Sequence, residues 1–232
     1  MNLTKRSYKK ELLDGDDIPF DDIKRNMHEL NIINTWLGGH AITIDGFAQL
    51  AGNRKYITVC EIGCGGGDNL AAISQWCIKH KVQVHCIGID INPYCIEVAR
   101  NNKHITGKAE WLVSDYRNVK FANKPDIIFS SLFCHHFTDE ALVQQLYWMH
   151  DNSSTGFFIN DLHRHWLAYT SIKLLTTIFS KSYLVKNDAP LSVARGFVHK
   201  EWAAIFNRAS ITSYTITWKW AFRYLITCRH AR

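Results

Sequence analysis

Two groups of residues in this sequence have the types and spacing for chemistry. The first is the stretch 58–70, TVCEIGCGGGDNL, where Glu61 precedes Gly63, Gly65, Gly66 and Gly67, and Asp68 and Asn69 follow. Glycines let the chain turn sharply and let a ligand approach its backbone. The helix start after them gathers free N–H groups and a positive dipole end. A pyrophosphate at this loop meets the carboxylates of Glu61 and Asp68, whereas a ligand with an ammonium group tolerates them. A dinucleotide loop, G-x-G-x-x-G, places its third glycine at position 68, and that residue is Asp68. Asp90 ends the next apolar run, and an ionised acceptor there suits the two hydroxyls of a ribose. Ile91 and Asn92 follow it and can flank a base. The second group is Cys134, His135, His136 and Phe137, together with Asn160, Asp161, His163 and His165. Imidazole titrates near neutral pH and can take a proton from a phenol or enol. His136 and then His163 are the candidate bases. His135, Asp161, Arg164, Tyr169 and Arg195 are candidates to orient the polar end of an acceptor. The histidine pairs show no acidic partner at fixed spacing, and Cys60 and Cys64 have no second cysteine pair, so no metal is expected.

Alternating strands and helices must position these residues. Strands are expected at about 57–62, 82–90, 109–113, 126–131 and 156–161, with helices at about 68–80, 93–103 and 138–150. The right-handed crossover rule makes those strands a parallel sheet covered on both faces. Segments 211–218 and 221–228 read as closing strands, one of them antiparallel. The fold class is thus α/β, a doubly wound, mostly parallel seven-stranded Rossmann-like sheet. Residues 1–20 are charged and read as a poorly ordered or ligand-ordered arm. Apolar positions Ile23, Met27, Leu30, Ile33 and Leu37 mark an amphipathic helix over 21–37, and a short helix covers 42–50. These helices are expected either to fold over the pocket as a lid or to pack on the sheet edge. The expected organisation is one domain, 1–232: arm and helical lid at 1–52, a ligand-binding core at 53–161, a helical insertion at 162–210 and closing strands at 211–232. Within the insertion, Trp166, Tyr169, Ile172, Leu174, Leu175, Ile178 and Phe179 give a helix that is buried or lines a pocket. Residues 186–191, KNDAPL, read as a loop before a helix over 192–209.

The string E-x-G-x-G-x-G, present as Glu61, Gly63, Gly65 and Gly67, resembles the first motif of class I S-adenosylmethionine (SAM) dependent methyltransferases. From the loop alone, a ligand-free glycine turn or a nucleotide-binding Rossmann domain stays open. The resemblance implies SAM as cofactor, held by Glu61, Gly63, Cys64, Gly65, Gly67 and Asn69, then Asp90, Ile91 and Asn92, then Asp115, Tyr116, Ser131 and Leu132. In such enzymes an acid at the place of Asp115 accepts from the adenine amino group; a surface-turn aspartate is the competing reading. Three acids, Glu61, Asp90 and Asp115, then end three consecutive parallel strands. SSLFCHHF after the fourth strand, NDLHRH after the fifth and the helical insertion look like the small-molecule branch with quinone and polyketide-type enzymes. That resemblance implies methyl transfer to a small aromatic or lipophilic acceptor, mainly at oxygen, with histidine-assisted deprotonation. A carbon acceptor beside a hydroxyl is the alternative. A SAM-binding module without turnover is the rival of another class.

Composition bounds these readings. The chain has 232 residues, 47% of them hydrophobic, which suits one α/β domain with a full core. The net charge of +6 carries no dense Lys/Arg block, so a solvated basic face is expected and RNA methylation is the weaker option. Nucleic-acid amino-methyltransferases carry Asp/Asn-Pro-Pro-aromatic after the fourth strand, and Ser130-Ser131-Leu132-Phe133 stands here. Seven scattered cysteines read as reduced thiols, and the start has no apolar signal core, so a cytoplasmic protein is expected. No apolar run approaches the ~20 residues that span a bilayer. A small-molecule substrate is the expected partner; the oligomeric state is not readable.

Overall fold

The computed structural model describes residues 2–15 and 17–230. Met1, Asp16, Ala231 and Arg232 belong to the expected arm and closing strands and lie outside the described residues. The order is α1 (Phe20–Trp36), α2 (Gly39–Ala51), β1 (Tyr56–Ile62), α3 (Asp68–Lys79), β2 (Gln83–Asp90), α4 (Pro93–Arg100), β3 (Lys108–Val113) and β4 (Ile127–Ser131). There follow α5 (Asp139–Asn152), β5 (Gly156–Leu162), α6 (Trp166–Phe179), α7 (Tyr183–Arg195), α8 (His199–Arg208), β6 (Tyr214–Lys219) and β7 (Arg223–Arg229). The seven strands form one sheet in the order β3-β2-β1-β4-β5-β7-β6. Strands β1 to β5 run parallel, and β7 pairs antiparallel with both β5 and β6. The strand order reverses between β1 and β4, and open α/β sheets take ligands beyond the strand ends at that point.

Period-two alternation sorts the strand residues onto two faces. Ile57 and Val59 of β1 join Phe129, Phe158, Phe47 and Leu50 on one side. Cys60 and Ile62 join Ile128, Ile159, Phe197, Trp202 and Phe206 on the other. Gly46 of α2 must lack a side chain, because a Cβ there would stand 2.6 Å from Phe158. This close approach presses α2 onto β5, where Asn160 Nδ2 donates to Gly39 O and Thr43 Oγ1 at 3.0 Å.

Four stretches depart from expectation. The arm is docked: residues 2–15 run beside α7 and include a 3₁₀ turn at Leu12–Asp14. Its charges find buried partners, as when Arg6 donates to Arg195 O, Phe137 O and Asp139. Residues 186–191 are helical despite Pro190, since buried Leu184, Val185, Leu191 and Val193 anchor that turn. The expected helix over 192–209 breaks at Gly196–Val198. There Phe197 N donates to Leu162 O, and a Cβ on Gly196 would stand 2.7 Å from that oxygen. On α6, Ala168, Ile172 and Thr176 turn inward, while Trp166, Leu174, Ile178 and Phe179 are exposed, so most of its apolar surface is neither buried nor pocket-lining. No described helix is long and apolar enough to cross a membrane.

Phe158 and Phe129 stack with centroids 4.7 Å apart in the core beneath α2. Phe158→Ala is expected to lower unfolding stability by about 3–5 kcal/mol. Chemical denaturation monitored by far-UV circular dichroism measures it.

Candidate active site

The β1–α3 loop is made by backbone that only glycine adopts cheaply. Gly63, Gly65 and Gly67 have φ of 66°, 50° and 72°. The space their missing side chains leave is used. The ring of Phe133 stands 2.2 Å from where a Gly63 Cβ would lie, and Met27 of α1 packs on Gly65 and Gly66. Helix α1 therefore lies over the loop, with Phe20 against Tyr94 of α4 at 5.5 Å, while α2 packs on the sheet.

Glu61 is fully buried at the end of β1. Its Oε1 accepts from Asn69 Nδ2 at 2.9 Å, and its Oε2 has no partner among the described residues. Burial pushes the Glu61 carboxyl well above its ordinary value, and the nearby charges of Asp68 and Asp90 push the same way. Asn69 is fixed in turn, accepting from Thr43 Oγ1 at 3.2 Å and facing His40 Nδ1 at 3.1 Å. Asp90 accepts from Gly65 N and Asn92 N, each at 2.9 Å, and burial raises its pKa. Asn92 caps α4, Ile91 is exposed, and Cys64 is buried with its N–H donating to Ile89 O. Glu61 and the partly buried Asp90 are thus electrostatic neighbours. Asp115 differs: it caps the turn Tyr116–Asn118 and its carboxylate is taken by Arg117 N and the Arg117 guanidinium. The competing turn-aspartate reading describes its geometry here. Tyr116 is buried against Trp148, with centroids 5.0 Å apart.

Beyond β4 the chain turns through Leu132, a bulky residue at φ 52°. Such backbone costs of order 1–3 kcal/mol and marks a position that its surroundings force. It sets Phe133 over the glycine loop and begins the 3₁₀ turn Cys134–His136. The Ser131 hydroxyl beside it is buried without a partner among the described residues. His135 Nδ1 donates to Asp161 Oδ1 at 2.8 Å, and His136 Nδ1 to Asp14 Oδ1 at 3.1 Å. The two Nε2 atoms face the carboxylate of Glu11, at 3.5 Å from His135 to Oε1 and 3.7 Å from His136 to Oε2. Arg195 closes the cluster, donating to His135 O at 3.1 Å, Lys9 O at 2.9 Å and Asp14 Oδ2 at 3.3 Å. The imidazoles therefore do have acidic partners, two of them supplied by the arm. The spacing of Glu11 and Asp14, one turn apart, was the only trace of this in the sequence.

The structure places the other candidates elsewhere. His163 accepts from Trp218 Nε1 at 3.2 Å and packs against Tyr224 and Phe222 of the β6–β7 hairpin. Among the described residues no hydrogen bond or ring pair joins it to His135 or His136. Arg164 is buried and spent on Glu201 at 2.7 and 2.9 Å and on Gly196 O at 2.6 Å. Its role is to hold α8 to β5, which corrects its assignment to the acceptor. Tyr169 lines an open cleft of about 300 Å³ with Lys9, Lys173, Lys186 and Leu191, beside the arm. Of the acceptor candidates, His135, Asp161 and Arg195 are brought together.

Residues 59–152 match a family model described as a methyltransferase domain. No curated protein matches the sequence. The fold is similar to that of the plantazolicin methyltransferase BpumL in complex with SAH, with a TM-score of 0.63 and 20% identity over 84% of this chain and 74% of that one. It is similar to human N-acetylserotonin methyltransferase in complex with SAM, at 0.65 and 10% identity over 92% and 57% of the two chains. Magnesium protoporphyrin IX methyltransferase ChlM from Synechocystis PCC 6803, with bound SAH, gives 0.51 and 15% over 94% and 90%. The sheet thus has the fold of these methyltransferases, and the region matched as a methyltransferase domain runs from β1 through the glycine loop to the end of α5.

His135 is buried, which disfavours its charge, yet Asp161 and Glu11 outweigh this and lift its pKa from 6.5 to about 9. The bound proton therefore stabilises the fold fully below pH 6.5, and that contribution is lost as pH rises through about 9. The melting temperature is expected to fall across this alkaline window. In His135→Gln the fall is expected to flatten, as read by scanning calorimetry over pH.

Proposed function

We propose that the protein is a SAM-dependent methyltransferase acting on an oxygen of a small aromatic or lipophilic acceptor. The observation that carries the cofactor is the unpaired Oε2 of buried Glu61 beside the glycine loop. An unsatisfied carboxylate oxygen there suits an ammonium group and repels a phosphate. Glu61 and Asn69 would hold the amino-acid end, the backbone of Gly63 and Gly65 would lie alongside, and Asp90 would accept from the ribose hydroxyls. Bound there, the cofactor supplies a methyl group on a positively charged sulfur. Cys64, Ile91 and Asn92 line the same side, and Asp115, Tyr116, Ser131 and Leu132 bound its far end.

The chain's own part is placement and proton handling. Phe133 and Met27 cover the loop and keep water from it. His136, partly exposed and held at Nδ1 by Asp14, takes the acceptor's proton on Nε2. Asp161 and Arg195 fix His135 behind it, so the two rings keep one arrangement. The exposed apolar side chains of α6 offer a lipophilic acceptor apolar surface, and the lysine-lined cleft at Tyr169 lies on the same helix. His163 stays a second candidate for the proton only if the β6–β7 hairpin releases it.

Asp90→Ala is expected to weaken SAM binding by about 1–3 kcal/mol, the scale of lost charge-assisted hydrogen bonds. His136→Ala is expected to keep SAM affinity and lose turnover on a panel of phenols. Titration calorimetry and mass spectrometry of products read the two effects. SAM binding by the wild type with no transfer to any acceptor would make the protein a binding module instead.

A further inference from the structure

The Glu11, His135 and His136 cluster has the geometry of a three-ligand cation site, and we propose that it binds one divalent transition-metal ion. This rests on the methyltransferase reading and adds to it the group that would receive the acceptor's oxygen. The facing atoms are too far apart for good hydrogen bonds. Glu11 Oε1 stands 3.5 Å from His135 Nε2, and Oε2 stands 3.7 Å from His136 Nε2, against ~2.7–3.2 Å for a normal N–H···O bond. Ligands about 2.0–2.2 Å from a tetrahedral zinc-like ion stand about 3.4 Å from each other. All three candidate ligand atoms lie within 4.8 Å of one another.

The surroundings are those of a ligand set. Metal-binding histidines almost always donate their other ring N–H to a carboxylate or carbonyl, which fixes the ring and directs its lone pair. Both imidazoles here do so, His135 Nδ1 to Asp161 and His136 Nδ1 to Asp14. Both Nε2 atoms are thereby directed at one carboxylate. His135 and Glu11 are buried, and His136 is partly open, which leaves a fourth position facing outward for water or an acceptor oxygen. Two histidines and one carboxylate with an open position is a known catalytic zinc arrangement.

Charge points the same way. Glu11 and Asp14 face Arg195, whose guanidinium is 3.8 Å from Glu11 and 3.3 Å from Asp14, and Asp161 feels the buried Arg223. Asp188 lies behind, accepting from Leu12 N and Leu13 N at 2.8 and 3.0 Å. Arg6 is paired with Asp139. The cluster thus carries excess negative charge, which one divalent ion would balance. With the ion bound, His136 serves as ligand, and the cation in place of the base stabilises the acceptor's oxyanion.

The site also joins the arm to the core, since Glu11 is the ligand the arm contributes. Chelator-treated protein is titrated with cobalt(II). One ion per chain is expected, with the visible bands of a tetrahedral site and slower tryptic cleavage after Lys9 and Lys10. Glu11→Gln and His136→Ala are expected to abolish the bands, and Asp14→Asn to weaken binding about 10–100-fold. Lack of stoichiometric uptake by the wild type overturns the proposal, as does uptake unchanged in Glu11→Gln and His136→Ala. SAM titration of the same metal-free samples separates the two ideas: cofactor binding without cobalt uptake removes the cation site alone and leaves the methyltransferase reading in place.

Discussion

Carboxylates held at the carboxyl ends of neighbouring strands are the constraint around which this molecule is arranged. Glu61 ends β1, Asp90 ends β2 and Asp161 is at the end of β5, and each is buried or nearly so. An isolated charge in such a place costs several kcal/mol, so each must be neutralised, hydrogen-bonded or protonated. The fold answers differently at each strand. Backbone N–H groups of Gly65 and Asn92 satisfy Asp90. His135 and the N–H of Leu162 satisfy Asp161. Glu61 is half-satisfied, by Asn69 alone. The incomplete shell at Glu61 leaves one acceptor oxygen of the glycine-loop strand open to a donor.

The elements outside the sheet serve the same end. Helix α2 brings His40 and Thr43 to Asn69, and so fixes the side chain that holds Glu61. Helix α1 covers the loop through Met27. The arm carries Glu11 and Asp14 to the histidines, and Asp188 of α7 holds the arm by two of its N–H groups. Segments on both sides of the core sequence thus complete what the strand ends leave open. Buried ion clusters of this kind add little net stability, but removing one member strands the others.

The sheet was legible because its signals are local. Apolar runs with glycine-rich stops mark each strand, and the order of strands and helices limits the topology to few choices. The loop at residues 61–69 was legible for the same reason, since its spacing is contained in nine adjacent positions. Arg164 misled because an arginine next to two histidines reads as a substrate clamp, and only the packing of α8 shows it spent on Glu201. Glu11 and Asp14 were hidden because their partner His136 is 122 residues from Asp14, and no period or spacing connects such positions. The helix through Pro190 was missed because tertiary burial overrode the local signal.

Phe133 and the two histidines share one short turn, hung from the left-handed Leu132. The Phe133 ring fills the space above Gly63, where a ligand on the glycine loop must also pass. Linkage is reciprocal: were a ligand on the loop to move that turn, a group fixing the imidazoles would change the affinity at the loop by the same factor. Four residues of backbone thus join the glycine loop to the imidazoles, so a ligand that shifted the Phe133 ring would be felt at His135 and His136.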